Sequence, residues 1–473
     1  MPADPSPAAR PGSSRLRAAS DRIRFRRALS LLAMTVLVPG SAQLVSGDRR
    51  VGRLALWLWA TLAVLLSGLA AATWVDRSIA LRLLTDPALL LAVRVALIVG
   101  ALFWVLLLLD AWRLGNPPAL PHRRRLVLAG VSAALTALLA GSLLFSAHVV
   151  AVQRDVLLEV FGDGTAVEAD SGRYNVLLLG GDSAATRSGL RPDSVTVASI
   201  EADTGRTVLF GLPRNLAGVP FPDGSVLDER FPDGFNCEGC YLNAVYTWAQ
   251  NHAELFPDVD DPGLAATTMT VEEITGLPVH YFAMVNMQGF QDLVDAMGGV
   301  TLRVRTPIAI GGGGGPITGR IEPGVHHLDG YETLWYARSR AYDDDYSRMG
   351  RQKCVMAAML DQLSPRQVLL NVKDIAKAGA QLLSTDIPHT ELGTFVDLAL
   401  KARDEPIGTM SFVPPMIDTG APDYALIRAK VDEALVRSEE GGSTPGGSEP
   451  GRTDRTNRAV KAANSSDDLG AAC

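Results

Sequence analysis

The stretch "NVLLLGGDS", Asn175–Ser183, decides the fold. Four apolar residues follow Asn175 and two glycines close the run. A short, continuous apolar run bounded by turn residues is a buried strand. Asp182 stands directly after it. The next apolar runs, "SVTVASI" (194–200) and "TVLFGL" (207–212), are strands joined by the turn "EADTG". Downstream, helical and strand patterns alternate. "NAVYTWAQNHAELF" (243–256) and "DPGLAATTMTVEEITG" (261–276) read as helices, the second ending at a glycine. "HYFAMVN" (280–286) reads as a strand, "MQGFQDLVDAMGG" as a helix and "VTLRVRT" (300–306) as a strand. "GYETLWYARSR" and "RQKCVMAAMLDQL" (351–363) are again helical. This alternation predicts an α/β class with a mixed central sheet flanked by helices. The glycine run 311–315 reads as a surface loop, since no Lys/Ser/Thr helix start follows it as a phosphate cradle requires.

Upstream of this domain the composition changes. Residues 1–27 carry seven arginines among Pro, Ser and Ala and read as a disordered basic tail. Apolar runs at about 54–74, 89–112 and 126–149 are each long enough to cross a hydrocarbon core of roughly 30 Å as a helix. A weaker run at 29–47, broken by Pro39-Gly40, reads as a short or re-entrant segment. The expected class is therefore α/β preceded by an α-helical membrane region, residues 28–149. Arg49, Arg50 and Arg53 precede the first span, and Arg113 with Arg123, Arg124 and Arg125 precede the last. Arginine marks the cytoplasmic side, so everything after Val149 is expected outside. A cleaved signal peptide does not account for three spans. Residues 150–172 read as a linker and 173–437 as the exported domain, ample for one core. Residues 438–473 are rich in Gly, Ser and Pro and read as a disordered tail. The net charge of −7 argues against nucleic acid as a bulk partner.

Several polar residues carry possible chemistry. Asp182 and Asp193 stand at neighbouring strand ends, where ligands collect in α/β sheets. Two such carboxylates can hold a hard cation, or each can simply cap a turn. Arg191 precedes Asp193, and Arg214 follows the third strand in "GLPRN". "ARSRAYDDDYSRMGRQ" (337–352) holds Arg338 and Arg340 at one helix end and Arg348, Arg351 and Gln352 at the start of the next. Positions three and four apart share a helix face, and several guanidiniums at a helix start suit a phosphate. Asp343, Asp344 and Asp345 could instead make this a surface ion-pair network worth little.

A rival reading joins "GDS" (181–183), the nucleophile block of GDSL-type esterases, to "DIPH" (386–389): Ser183 as nucleophile, His389 as base, Asp386 as orienter. It leaves the arginines and Asp193 unexplained. His326-His327 reads as a turn. Of the four cysteines, Cys237–Cys240 or one of these with Cys354 could pair, leaving Cys473 free in the tail.

Five ordered blocks, "NVLLLGGDS", "LRPDSVTVASIEADTGRTVLFGLPRN", "YLNAVY", "GVHHLDGYETLWYARSR" and "DYSRMGRQ", together resemble the LytR-CpsA-Psr family of cell-wall glycopolymer ligases. The multi-span basic N-terminus is similar to actinobacterial members. The resemblance implies an extracytoplasmic, multi-pass membrane enzyme that moves a glycan phosphate from a polyprenyl-pyrophosphate carrier, held in a hydrophobic groove, to a peptidoglycan acceptor. It implies Mg²⁺, or Mn²⁺ in its place, on Asp182 and Asp193. Arg191, Arg214, Arg338, Arg340 and Arg348 would clamp the pyrophosphate, with Asp345 and Gln352 completing the site and Asp345 the candidate base. Asn215 stands where the family often has Asp. A non-catalytic, polyprenyl-phosphate-binding regulatory protein is the alternative from another class.

Overall fold

The computed structural model describes residues 11–473 except 76–78, 80–82, 84–85, 161–165, 182–190, 313–314, 363–382, 404 and 441–463. The chain divides into two compact units, Met1–Arg154 and Asp155–Cys473.

In the first unit, α1 (Pro11–Leu37) and the short α2 (Ser41–Ser46) precede α3 (Arg49–Val75), α4 (Pro87–Leu114) and α5 (His122–Val160). Three of these helices, α3, α4 and α5, are long and apolar enough to cross a membrane. Two expectations change here. Residues 11–27 are helical rather than a disordered tail, because Arg, Ala and Leu favour helix and the helix continues into an apolar anchor. Ala28, Leu31 and Leu32 at that end pack with Leu108, Ala111 and Leu128. Pro39-Gly40 does break the helix: Gly40 sits at φ 89°, and a Cβ there would meet the Gly52 carbonyl oxygen at 2.6 Å. The first part of the expected linker is also helical, since α5 runs to Val160.

The second unit is built on a seven-stranded sheet. Its strands are β1 (Arg173–Gly181), β2 (Pro192–Glu201), β3 (Thr207–Leu212), β4 (Tyr281–Asn286), β9 (Leu383–Thr385), β10 (Gly408–Ser411) and β11 (Ser465–Ser466). The order is β11-β10-β3-β2-β1-β4-β9. The pairs β1–β4 and β3–β10 are parallel and the rest antiparallel, so the sheet is mixed. One face carries the main core. Leu177, Leu179, Phe210 and Leu212 pack there against α6 (Leu242–Gln250), α7 (Pro262–Thr275) and α11 (Tyr424–Glu439). The other face is covered by α8 (Met287–Ala296), α9 (Gly330–Arg338) and α10 (Asp345–Gln362). Successive β1 side chains face opposite ways, so Leu178 points towards these helices while its neighbours sit in the core.

Residues 300–304 do form a strand (β5), but it leaves the central sheet and pairs with β8 (Gly324–Leu328). His326 and His327 are therefore strand residues, not a turn; His327 lies opposite Thr301. A second hairpin pairs β6 (Ile308–Gly311) with β7 (Ile317–Ile321), and Gly311 and Gly312, at the end of β6, take left-handed φ values.

The largest correction concerns the C-terminus. Residues 464–473 are not a disordered tail. β11 pairs with β10, Leu469 is fully buried, and Cys473 is bonded to Cys354 with a Cα–Cα distance of 5.5 Å. Cys237 pairs with Cys240, and Cys473, bonded to Cys354, is not free.

Candidate functional site

The site forms where β1 ends, β2 begins and β3 ends, at one edge of the antiparallel trio. A register irregularity at Gly180/Gly181 opens the β1–β2 pair there. A Cβ on Gly180 would meet Ser194 Cβ at 3.1 Å, so glycine lets the two strands stay close at this end. Asp193 stands at the second position of β2 and Arg214 two residues after β3. Arg214 donates from Nη1 to Asp193 Oδ1 at 2.7 Å. Asn243, at the start of α6, donates to the same oxygen at 3.5 Å and its backbone N–H donates to the Arg214 carbonyl at 3.1 Å.

Opposite these residues, α9 ends at Arg338 and α10 begins at Asp345. Asp344 accepts from the Ser347 N–H at 2.7 Å and so caps the start of α10. Asp345 holds three guanidiniums: Arg214 Nε at 3.4 Å and Arg340 Nη1 at 3.4 Å on Oδ1, and Arg348 Nη2 at 3.1 Å on Oδ2. Arg348 also donates to the Asp193 carbonyl at 3.0 Å. Gln352, one turn on, accepts from Ser194 Oγ at 3.2 Å. Arg338 lies over the Trp335 ring at 4.9 Å, an attractive cation–π placement.

The electrostatics follow from this geometry. Burial alone would raise the Asp193 carboxyl, but the Arg214 hydrogen bond and charge, helped by Arg348 and Asn243, hold it below the usual carboxylate range. Burial also works against the Arg214 cation, and Asp193 and Asp345 outweigh it and push Arg214 up. Arg348 is the reverse case. It is 4% exposed, burial lowers it, and neighbouring Arg214 and Arg340 add to that against Asp345 and Asp193. Its Nε–H has no partner among the described residues. A buried cation with an orphaned donor is costly alone and is relieved by an anion.

Behind this polar rim lies an apolar groove of about 390 Å³. Leu178 and Val285 from the sheet, Phe290 from α8, Leu334 from α9 and Met356 and Met359 from α10 line it. Arg338, Arg340, Arg348, Gln352 and Asp193 line its mouth. Three guanidiniums, Arg214, Arg340 and Arg348, thus meet two carboxylates, and Arg338 stands beside them at one end of an otherwise apolar cleft, a form that suits an anionic head on a hydrophobic tail.

Of the predicted residues, Asp193, Arg214, Arg338, Arg340, Asp345, Arg348 and Gln352 come together. Arg191 is exposed just ahead of β2 and makes no ion pair among the described residues. Asp182 and Ser183 lie outside the described residues. Arg351, read as sharing a face with Arg348, turns away. It is 2% exposed and donates to the Tyr336 carbonyl at 2.7 Å, the Ser339 carbonyl and Asp343, tying the end of α9 to α10. Asn243 and Ser194 carry site contacts that the sequence reading did not assign, although "YLNAVY" flagged the former. Asp386 accepts the Phe282 N–H at 2.7 Å, at the start of β4, whereas Gly181, the last residue of β1, pairs with Asn286 at the end of β4.

The LytR_cpsA_psr family model matches residues 147–434, more than half of the chain. Biofilm regulatory protein A of Streptococcus mutans is 27% identical over 235 residues, 48% of this chain and 53% of that protein. The polyisoprenyl-teichoic acid–peptidoglycan teichoic acid transferase TagU of Oceanobacillus iheyensis is 28% identical over 233 residues, 49% of this chain and 64% of that protein. The match thus spans only 53% and 64% of those relatives' own length. The crystal structure of protein gbs0355 from Streptococcus agalactiae aligns with a TM-score of 0.44 at 22% identity, covering 56% of this chain and 89% of that one. The family match runs through β1, β2, β3, α9 and α10, the elements that hold the site, and the chain belongs to the LytR_cpsA_psr family.

Proposed function

We propose that this protein is a phosphotransferase that moves a glycopolymer from a polyprenyl-pyrophosphate carrier to peptidoglycan in cell-wall assembly. The observation that carries the reading is the placement of Arg338, Arg340 and Arg348 at the mouth of the apolar groove, with Arg214 joined to Arg340 and Arg348 through Asp345. The groove suits the polyprenyl tail, and the guanidiniums suit the pyrophosphate in forked pairs. The acceptor hydroxyl attacks the glycan-bearing phosphorus, the P–O–P bond breaks and polyprenyl phosphate leaves, while the hydroxyl proton passes to solvent. Such transfer depends mostly on positioning and charge neutralisation. Arg340 and Arg348 take up the charge that grows on the leaving phosphate. Asp345, with both oxygens engaged, keeps the three guanidiniums oriented around one point.

Asp193 is a carboxylate of the kind that suits Mg²⁺ or Mn²⁺. Asp193 commits Oδ1 to Arg214 and Asn243, while Oδ2 makes no hydrogen bond among the described residues. Mg²⁺ takes only one or two protein carboxylates and completes its shell with water and phosphate oxygens. Asp193, with Asp182 as the second expected ligand, would hold it, and the bound ion would neutralise charge on the pyrophosphate.

Two disulfides fit an oxidising compartment, and the three apolar helices with their arginine-rich flanks support a multi-pass anchor with the domain outside. Full-length protein in detergent, given a polyprenyl-pyrophosphate disaccharide, peptidoglycan and Mg²⁺, should transfer the sugar. Asp193→Asn and chelator should each abolish transfer. Turnover undiminished in Asp193→Asn would overturn the reading, and lipid binding without turnover would favour a regulatory protein.

A further inference from the structure

Residues 464–473 do more than finish the sheet. Asn464 is 5% exposed, and its carbonyl and both polar ends of its side chain are engaged. Its carbonyl accepts the Ser411 N–H at 2.6 Å, its Oδ1 accepts Ser411 Oγ at 2.9 Å, and its Nδ2 donates to the Tyr346 carbonyl at 2.8 Å. Ser411 Oγ in turn accepts from Lys353 Nζ at 2.7 Å. Tyr346 and Lys353 are seven residues apart on α10, two turns along one face. Arg348 and Gln352 lie on a different face of the same helix, towards the groove. The rest of the segment holds α10 from the same rear side. Leu469 is buried among Ala198, Leu209, Cys354 and Ala357, and Cys473 is bonded to Cys354.

We propose that Asn464 is a positioning residue, and that the C-terminal strap it heads sets the roll and depth of α10, hence where Asp345 and Arg348 meet the donor pyrophosphate. The role in turnover rests on the function proposed above; the hold on α10 does not. The physical case is one of pinning. A helix fixed only by apolar contacts can slide or rotate by a fraction of an ångström at small cost. Directional hydrogen bonds at Tyr346 and Lys353, with a covalent tie at the adjoining Cys354, remove that freedom. Both polar ends of the Asn464 side chain are used at once, so neither Asp nor Leu reproduces the link.

The test uses the full chain in detergent, as wild type, Asn464→Ala and Cys473→Ser, read by amide hydrogen exchange and by transfer kinetics. Exchange across 345–352 should rise about tenfold or more in both variants while β1 and β2 amides stay protected, and kcat should fall about tenfold. If exchange across 345–352 matches wild type in both variants, even with a lower unfolding midpoint, the strap merely adds stability and the proposal fails. If wild type shows no transfer but the variants still loosen 345–352, the positioning role stands and the assigned reaction falls.

Discussion

Arg214 and Asp193 meet at 2.7 Å across the ends of two antiparallel strands, and the pair sits under the charge of Arg348. Its sign with pH follows directly. Burial would raise the Asp193 carboxyl, yet Arg214 holds it below its ordinary value of 3.8 in the folded chain. A carboxylate lowered by folding contributes stability that is complete above the unfolded value and is lost as pH falls through the folded one. Wild type should therefore be more stable than Asp193→Asn at pH 7, and the gap should close as the medium is acidified below 3.8. Urea titrations followed by tryptophan fluorescence at several pH values check this. A gap that does not change with pH would mean that the ion pair is not its source.

Arg340 and Arg348 bind the same carboxylate from opposite degrees of burial, with side chains 45% and 5% exposed. An exposed pair is worth little to stability, so Arg340→Ala should move unfolding by less than about 0.5 kcal/mol. Its loss should appear instead in donor affinity, and the deficit should shrink as salt rises. Arg348→Met removes a buried partner of Asp345 and should cost about 2–4 kcal/mol of stability as well as activity. Calorimetry of both variants, beside lipid-binding isotherms at low and high salt, separates the two roles.

The sheet was legible because β1, β2 and β3 are short apolar runs with clear turns between them. The division of β1 into a core-facing and a groove-facing set was not, because both faces of that strand are apolar. The arginines were legible as a cluster, but spacing along a helix could not say which of them the preceding loop would claim. Asp343 and two carbonyls claim Arg351, and that choice is made by the path of residues 339–344. The strap was hidden for a different reason. Ten residues beyond a Gly/Ser/Pro-rich stretch show no periodicity, and only Leu469 and Cys473 hinted at burial. The sequence reading treated that stretch as the end of order, whereas the disulfide to Cys354 carries the chain back.

Lys353 supplies a second pH signature. It is 1% exposed and, among the described residues, its ammonium reaches only Ser411 Oγ and the Leu209 carbonyl. Burial pushes it down from 10.5 to about 7. The unfolded chain then holds a proton that the folded chain gives up, so stability rises with pH between about 7 and 10.5. One such group contributes a slope of at most about 1.4 kcal/mol per pH unit. Lys353→Met keeps the volume and removes the titration, so its stability should vary less over that window. Parallel denaturant curves at pH 7 and 10 give the slopes; equal slopes would show that Lys353 is charged in both states.

The groove itself depends on a glycine. Gly330 opens α9, its N–H donates to Asp295 at 2.7 Å, and an added Cβ would run into the Gln291 carbonyl of α8. Neither contact can yield cheaply, because one atom is backbone and the other belongs to a carboxylate already engaged. Gly330→Ala should therefore push α9 off α8 and cost about 1–3 kcal/mol. The two helices carry Phe290 and Leu334, both of which line the groove, so the fit of the lipid should suffer along with stability. Asp329→Ala is the control. It removes the capping box with Glu332 at the same helix end, at about 1 kcal/mol, without adding bulk between the helices. Binding of polyprenyl phosphates of increasing length should distinguish them. Affinity should gain less per added isoprene in Gly330→Ala than in wild type, whereas Asp329→Ala should keep the wild-type increment. An unchanged increment in Gly330→Ala would mean that the tail does not lie between α8 and α9.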